Sequence, residues 1–230
     1  MKSKYKHIYF DLDRTIWDFE GNSIGTLKDL QEIFELTHIE PEEFRKTFNF
    51  YNDQYWLMFR EGKIKKEELR IERFKMTLGA FGIQDKALVE KMAFEYLRIG
   101  PSKTGLIPHA REILEELYQT YSLYIITNGF NDIQIHKLRN SGVLEYFKKV
   151  ITSEHAHTSK PNIEIFQYAL TVVNAKKKEC LMVGDDLEVD ILGAKAFGID
   201  QVYFNPAGLK HTESVTYEIT SLLDLKKLLL

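Results

Sequence analysis

Apolar residues follow two different rhythms along this chain. At Ile8–Phe10, Leu123–Ile126, Leu181–Val183 and Val202–Phe204 they stand in short unbroken runs. That is the pattern of strands buried on both faces of a parallel sheet. A shorter run at Val150–Ile151 predicts one more strand. Helical spacing links these runs around Ala110–Tyr118, Ile133–Arg139, Pro161 through Phe166 to Val173, and Val189–Phe197, and a leucine-rich helix closes the chain. Alternating strands and helices predict a parallel sheet with helices on both faces. Between Thr15 and Leu106 the rhythm is helical throughout. Leu27, Leu30 and Phe34 form one stripe, and Phe44, Phe48, Tyr51, Tyr55 and Phe59 a second. Ile71, Phe74, Leu78 and Phe81 form a third, and Leu88, Met92 and Leu97 a fourth. Pro41 marks one helix start, Gly62 one break, and Gly79 with Gly82 another. The expected organisation is an α/β core of residues 1–16 and 104–230, with an all-helical module of residues 17–103 inserted after the first strand.

Composition narrows the class of protein. The 230 residues are 44% hydrophobic and 28% charged, as in ordinary globular chains. A net charge of −3 offers no bulk attraction to nucleic acid or to an anionic membrane, so neither is an expected partner. The one cysteine, Cys180, excludes an internal disulfide and fits a reducing cytosol. Its place in the run CLMVG marks it as a small buried hydrophobe. No signal-peptide core stands in the first twenty residues, and nowhere do eighteen apolar residues stand together. The expectation is a soluble, cytoplasmic protein, monomeric or weakly dimeric.

The chemistry sits where the apolar runs stop. Asp11 and Asp13 follow the first run, Thr127 and Asn128 the second, and Asp185 and Asp186 another. A parallel sheet brings those ends to one edge, where open α/β sheets bind their ligands. Converging carboxylates repel one another and raise their own pKa values unless a cation joins them. A hard divalent cation such as Mg2+ takes oxygen ligands and keeps waters that a phosphate can share. A hydroxyl (Thr127), a backbone N–H (Asn128) and an ammonium (Lys160) then remain to hold phosphate oxygens. The set reads as phosphoryl transfer to an aspartate, on a small phosphorylated substrate.

Four segments, FDLDRT (Phe10–Thr15), ITN (Ile126–Asn128), SKP (Ser159–Pro161) and GDDLEVD (Gly184–Asp190), stand in the order found in the haloacid dehalogenase superfamily, which the sequence resembles over nearly its whole length. The stretches FDLDRTIWDFEGNS, TNGFNDIQIHKL and GDDLEVDILGAKAFGI resemble the nucleotidase-like branch that includes pyrimidine 5′-nucleotidases. The resemblance implies a Rossmann-like doubly wound core and makes the inserted helices a cap domain. It implies Asp11 as nucleophile and Asp13 as acid and base, with a Mg2+ ion held by Asp11, Asp185 and the backbone carbonyl of Asp13. Thr127, Asn128 and Lys160 would bind the phosphoryl group, with Asp186 and Asp190 orienting metal-bound water or the lysine. The implied activity is hydrolysis of a phosphomonoester, first of all a pyrimidine nucleoside 5′-monophosphate. Other phosphometabolites, pyrophosphate, mutase chemistry, metal-free dehalogenation and a non-enzymatic phospho-accepting role are the alternatives. Arg14 is a departure, since many relatives carry glycine, aspartate or histidine there. The cap is expected to close on hinges near Trp17–Phe19 and Pro101–Gly105. Trp17, Asp18, Tyr51, Tyr55 and Arg60 are its candidates for substrate contact.

Overall fold

His7–Phe10 (β1) is the strand around which the sheet of the computed structural model is assembled; the structure describes residues 4–230. Ser122–Thr127 (β2), Phe147–Thr152 (β3), Cys180–Gly184 (β4), Asp200–Phe204 (β5) and Tyr217–Ile219 (β6) complete it in the order β3-β2-β1-β4-β5-β6. Every pairing is parallel, with Phe10 opposite both Ile125 of β2 and Val183 of β4. Side chains alternate across the sheet. Ile8, Phe10, Leu123, Ile125, Leu181 and Val183 enter one apolar layer. Tyr9, Tyr124, Ile126, Cys180 and Met182 enter the other. Helices cover both layers, which is the doubly wound α/β arrangement.

Contacts among the described residues divide the chain into two units, one ending at Phe19 and resuming over Thr104–Leu230, the other Glu20–Lys103. The second unit is helical: Phe19–Ile33 (α1, whose first residue belongs to the core), Pro41–Arg60 (α2), Lys66–Ala80 (α3) and Lys86–Ile99 (α4). Pro41 occupies the first turn of α2, where its missing N–H costs nothing, and the Glu40 side chain accepts from Glu43 N–H. Leu27, Leu30, Phe44, Phe48, Phe74, Leu78 and Met92 form a core of this unit alone. The third stripe is corrected: Ile71 is exposed, and Leu69, Arg73, Phe74, Thr77 and Leu78 are the buried residues of α3. Gly79 lies inside α3, so the break falls at Gly82, which adopts φ +76°.

The core helices are Ala110–Tyr118 (α5), Asn131–Asn140 (α6), Ser153–Ala156 (α7), Ile163–Thr171 (α8), Gly193–Phe197 (α9) and Asp224–Leu229 (α10). Three expectations change here. Pro161 does not open a helix: the Lys160–Pro161 bond is cis and α8 begins at Ile163. The helix expected at Val189–Phe197 begins earlier, as a wide π-helical segment over Leu187–Leu192 that runs into α9. The edge strand β6 was not legible, because TYEIT is too short and too polar to stand out. Among the described residues no helix is long and apolar enough to cross a membrane.

Candidate active site

β1 and β4 are neighbours in space although β2 and β3 separate them along the chain, so the direction of winding reverses between them. Ligand crevices of open α/β sheets form at such a reversal, beyond the carboxyl ends of the strands. Asp11 extends β1, its N–H bonded to the carbonyl of Val183, and Asp185 follows the last residue of β4. Carboxylate oxygens of Asp11, Asp185 and Asp190 all lie within 4.8 Å of one another. Gly184 makes the crowding possible, since a Cβ there would collide with the Asp190 carboxylate.

Lys160 faces these acids directly. Lys160 is fully buried, and its Nζ donates to Asp11 Oδ1 at 2.5 Å and to the Ile126 carbonyl at 2.8 Å. It also pairs with Asp190 Oδ1 at 2.6 Å. Its backbone is clamped by the Asn128 side chain, which accepts from Lys160 N–H at 2.8 Å and donates to the Lys160 carbonyl at 3.0 Å. The loop carrying the lysine is thereby tied to the end of β2. Burial works to lower the ammonium's pKa, but Asp11 and Asp190 outweigh it and hold it above the usual value.

The acids are under opposite pressure. Burial, then Asp190 and Asp185, push the Asp11 carboxyl well above its usual range even against the pull of Lys160. Burial also raises Asp190. Asp185 is pushed up to about 7, first by burial and then by Asp190, while Arg14 and the Thr15 hydroxyl pull it down. Thr15 Oγ1 donates to Asp185 Oδ1 at 3.1 Å and fixes its orientation. Three converging carboxylates, met by Lys160 and with Arg14 acting on Asp185, leave room for a further cation, and an all-oxygen donor set suits a hard ion of the Mg2+ type.

Asp13 stands outside that cluster. Its side chain meets α6, where Gln134 Nε2 donates to Oδ2 at 2.9 Å and Lys137 Nζ to Oδ1 at 2.6 Å. Thr127 Oγ1 accepts from Gly129 N–H at 3.1 Å and from Gln134 Nε2 at 2.7 Å, so its own proton is left to donate elsewhere. Asp186 is exposed and caps the π-helical segment, accepting from Glu188 and Val189 N–H. Thus Asp11, Asp185, Asp190 and Lys160 meet directly, Asp13 and Thr127 meet through Gln134, and Asp186 turns away to its cap. Gln134 and Lys137 escaped the reading of the sequence. Their signal was a polar pair spaced i, i+3 on the helix that follows Thr127-Asn128, on the same face for reasons of helix geometry alone.

Of the other named residues, Trp17 is buried, with Lys137 Nζ 4.2 Å above its ring. The Asp18 N–H donates to the Gly105 carbonyl. Trp17 pairs with Leu106, so the two passages between the units run side by side here. Tyr51, Tyr55 and Arg60 lie on α2, each half-buried. Arg14 adopts a left-handed backbone (φ 66°) and stacks its guanidinium 4.4 Å from the Phe19 ring centre.

Residues 8–204 match the family model described as haloacid dehalogenase-like hydrolase. The chain is 33% identical to pyrimidine 5′-nucleotidase PynA of Streptococcus pneumoniae, over 96% of this chain and 93% of that one. It is 30% identical to ribulose-1,5-bisphosphate 5-phosphatase of Halopiger xanaduensis, over 87% and 84%. A crystal structure of HAD-hydrolase YfnB from Bacillus subtilis bound to magnesium superposes with a TM-score of 0.89 at 30% identity, covering 99% of each chain.

Proposed function

This chain belongs to the haloacid dehalogenase-like hydrolases and is an enzyme of that family, and on that premise we propose that it is a Mg2+-dependent phosphomonoesterase. Its preferred substrates on this reading are pyrimidine nucleoside 5′-monophosphates, deoxy forms included. The observation that carries the proposal is the crowding of Asp11, Asp185 and Asp190 against a single lysine while Asp13 is held apart. The first three make a cation-deficient oxygen site beside a nucleophile. The fourth, held by α6 outside the cluster, is the group this reading assigns to proton transfer.

Asp11 and Asp185, with the backbone carbonyl of Asp13, would hold the ion. Bound there, Mg2+ supplies electrostatic stabilisation to the transferring phosphoryl group. Asp11 attacks phosphorus in line and forms an aspartyl-phosphate, splitting one displacement into two. Asp13 protonates the departing oxygen and afterwards takes a proton from the water that hydrolyses the intermediate. Such a positioned group contributes ~10²–10⁴-fold. The Thr127 hydroxyl donates to one phosphoryl oxygen and the Asn128 N–H to another, and Lys160 offsets charge on Asp11 and on the phosphoryl. Asp190 keeps the lysine in place from the far side. Metal-free dehalogenation needs neither a second acid at position 13 nor Asp185, which weighs against it.

PynA supports the nucleotide assignment, while the ribulose bisphosphate phosphatase at similar identity points to sugar phosphates. Measuring kcat/KM for nucleoside monophosphates, sugar phosphates and pyrophosphate, with Mg2+ and in chelator, decides between them. The pyrimidine monophosphates are expected to lead, with selectivity spread over several bases, and activity to vanish in chelator. A sugar phosphate or pyrophosphate ahead by more than about tenfold, ~1.4 kcal/mol of transition-state binding, would overturn the substrate. Full activity without metal would overturn the chemistry.

A further inference from the structure

Helix α6 buries the wrong side chains for a helix that only packs. Its buried residues are Gln134, Lys137 and Leu138, while Ile133 and Ile135 are only half-buried. We propose that Gln134 and Lys137 are positioning residues of the phosphoryl transfer: Lys137 fixes the Asp13 carboxyl for leaving-group protonation, and Gln134 fixes Asp13 and the Thr127 hydroxyl together. The proposal rests on the roles assigned above to Asp13 and Thr127.

The Gln134 amide is oriented by its neighbours. Its Nε2 donates to both Asp13 Oδ2 and Thr127 Oγ1, and the flipped amide would set oxygen against a carboxylate. The same orientation leaves Oε1 buried without a hydrogen-bond partner among the described residues. A buried orphan acceptor is costly and uncommon, so the donor it accompanies has a use that outweighs it. Gly129 keeps the space open, because a Cβ there would collide with the Gln134 amide. By filling the acceptor positions of Thr127 together with Gly129 N–H, Gln134 makes that hydroxyl an obligatory donor. Lys137 spans from Asp13 Oδ1 to the faces of Trp17 at 4.2 Å and Phe19 at 5.7 Å. Asp13 is its one carboxylate partner among the described residues. With both carboxyl oxygens engaged from α6, Asp13 has a single orientation, set by side chains outside the four motifs.

The test compares two phosphomonoesters on the full chain with Mg2+: 4-nitrophenyl phosphate, whose leaving group departs unprotonated, and the best alkyl phosphate of the wild type. Lys137→Met should lower kcat on the alkyl ester by about 30-fold or more, and on the aryl ester by less than about threefold, with KM little changed. Lys137→Arg, which keeps a cation, should recover part of the alkyl rate and carries the test if the methionine variant does not fold. Gln134→Leu should lower kcat on the aryl ester by about 10²-fold and on the alkyl ester by more, since it holds Asp13 as well; on the aryl ester, adding it to Thr127→Val should cost little more, since there the two act as one unit. Equal losses on both esters for Lys137→Met, or additive losses on the aryl ester for Gln134→Leu with Thr127→Val, would overturn the inference. Asp13→Asn separates this from the parent reading. If Asp13→Asn discriminates between the esters and Lys137→Met does not, only the inference fails. If Asp13→Asn does not discriminate, the acid role itself is wrong.

Discussion

Single residues carry the reaction, and each carries a distinct expected loss. Asp11→Asn removes the attacking oxygen but keeps size and shape, so turnover should fall on the order of 10³-fold or more while the fold survives. Residual turnover near wild type would exclude Asp11 as nucleophile. Asp185→Asn should raise the Tm of the metal-free protein at pH 8, because burial and Asp190 already oppose that charge. It should also abolish the gain in Tm on adding Mg2+. A metal-free Tm below wild type would show that the acidic cluster is not under strain. Asp11 and Asp185 were legible as carboxylates at the ends of apolar runs, Lys160 only as a member of the set, and Asp190 only through the resemblance carried by GDDLEVD. Gln134 and Lys137 were not, because a polar side chain on a helix is ordinarily solvated, and only tertiary placement turns it inward.

At the scale of elements, the strands were legible because central parallel strands need unbroken apolar runs, and β1, β2, β4 and β5 have them. Local rhythm could not reveal β6, which is paired on one side only, or the π-helical turn that brings Asp190 under Lys160. Helix α3 departs from its pattern in another way, by burying Arg73. That guanidinium donates to Asn52 Oδ1 at 2.7 Å and lies 4.7 Å from the Tyr96 ring centre, and its Nε finds no partner among the described residues. Burial pulls its pKa down. Arg73→Met should therefore cost about 1–3 kcal/mol by orphaning Asn52, whereas Arg73→Met with Asn52→Leu should recover most of the loss. Urea unfolding of the four proteins of this cycle is the measurement. A double variant no better than the single would mean that the stacked cation itself holds α2 to α3.

For the whole molecule, the acid cluster links folding to pH and, on the proposed function, to metal. Asp185 titrates near 7 in the fold against about 3.9 when unfolded. A raised carboxyl stabilises fully below its unfolded value, and that stability is lost as pH rises through 7. Asp11 and Asp190 act in the same direction, and half-buried His7, whose pKa is lowered by its partial burial, acts against them. In chelator, Tm should fall by about 3–8 °C between pH 5.5 and 8. Mg2+ should restore it at pH 8 and do little at pH 5.5, where protons hold its place. A metal-free Tm that climbs across this range would refute the linkage, and Asp185→Asn measured alongside gives the share that Asp185 contributes. The sheet order has a consequence for biosynthesis as well. β1 is the first strand of this sheet to leave the ribosome, yet its two neighbours begin only at Ser122 and Cys180. Glu20–Lys103 is one unbroken stretch with its own core, and can finish folding while β1 still waits. Asp11, the proposed nucleophile, is thus the earliest of the site's side chains made and among the last to be housed. Until translation passes Gly184, its strand is an unpaired apolar edge, the kind of segment that chaperones shield.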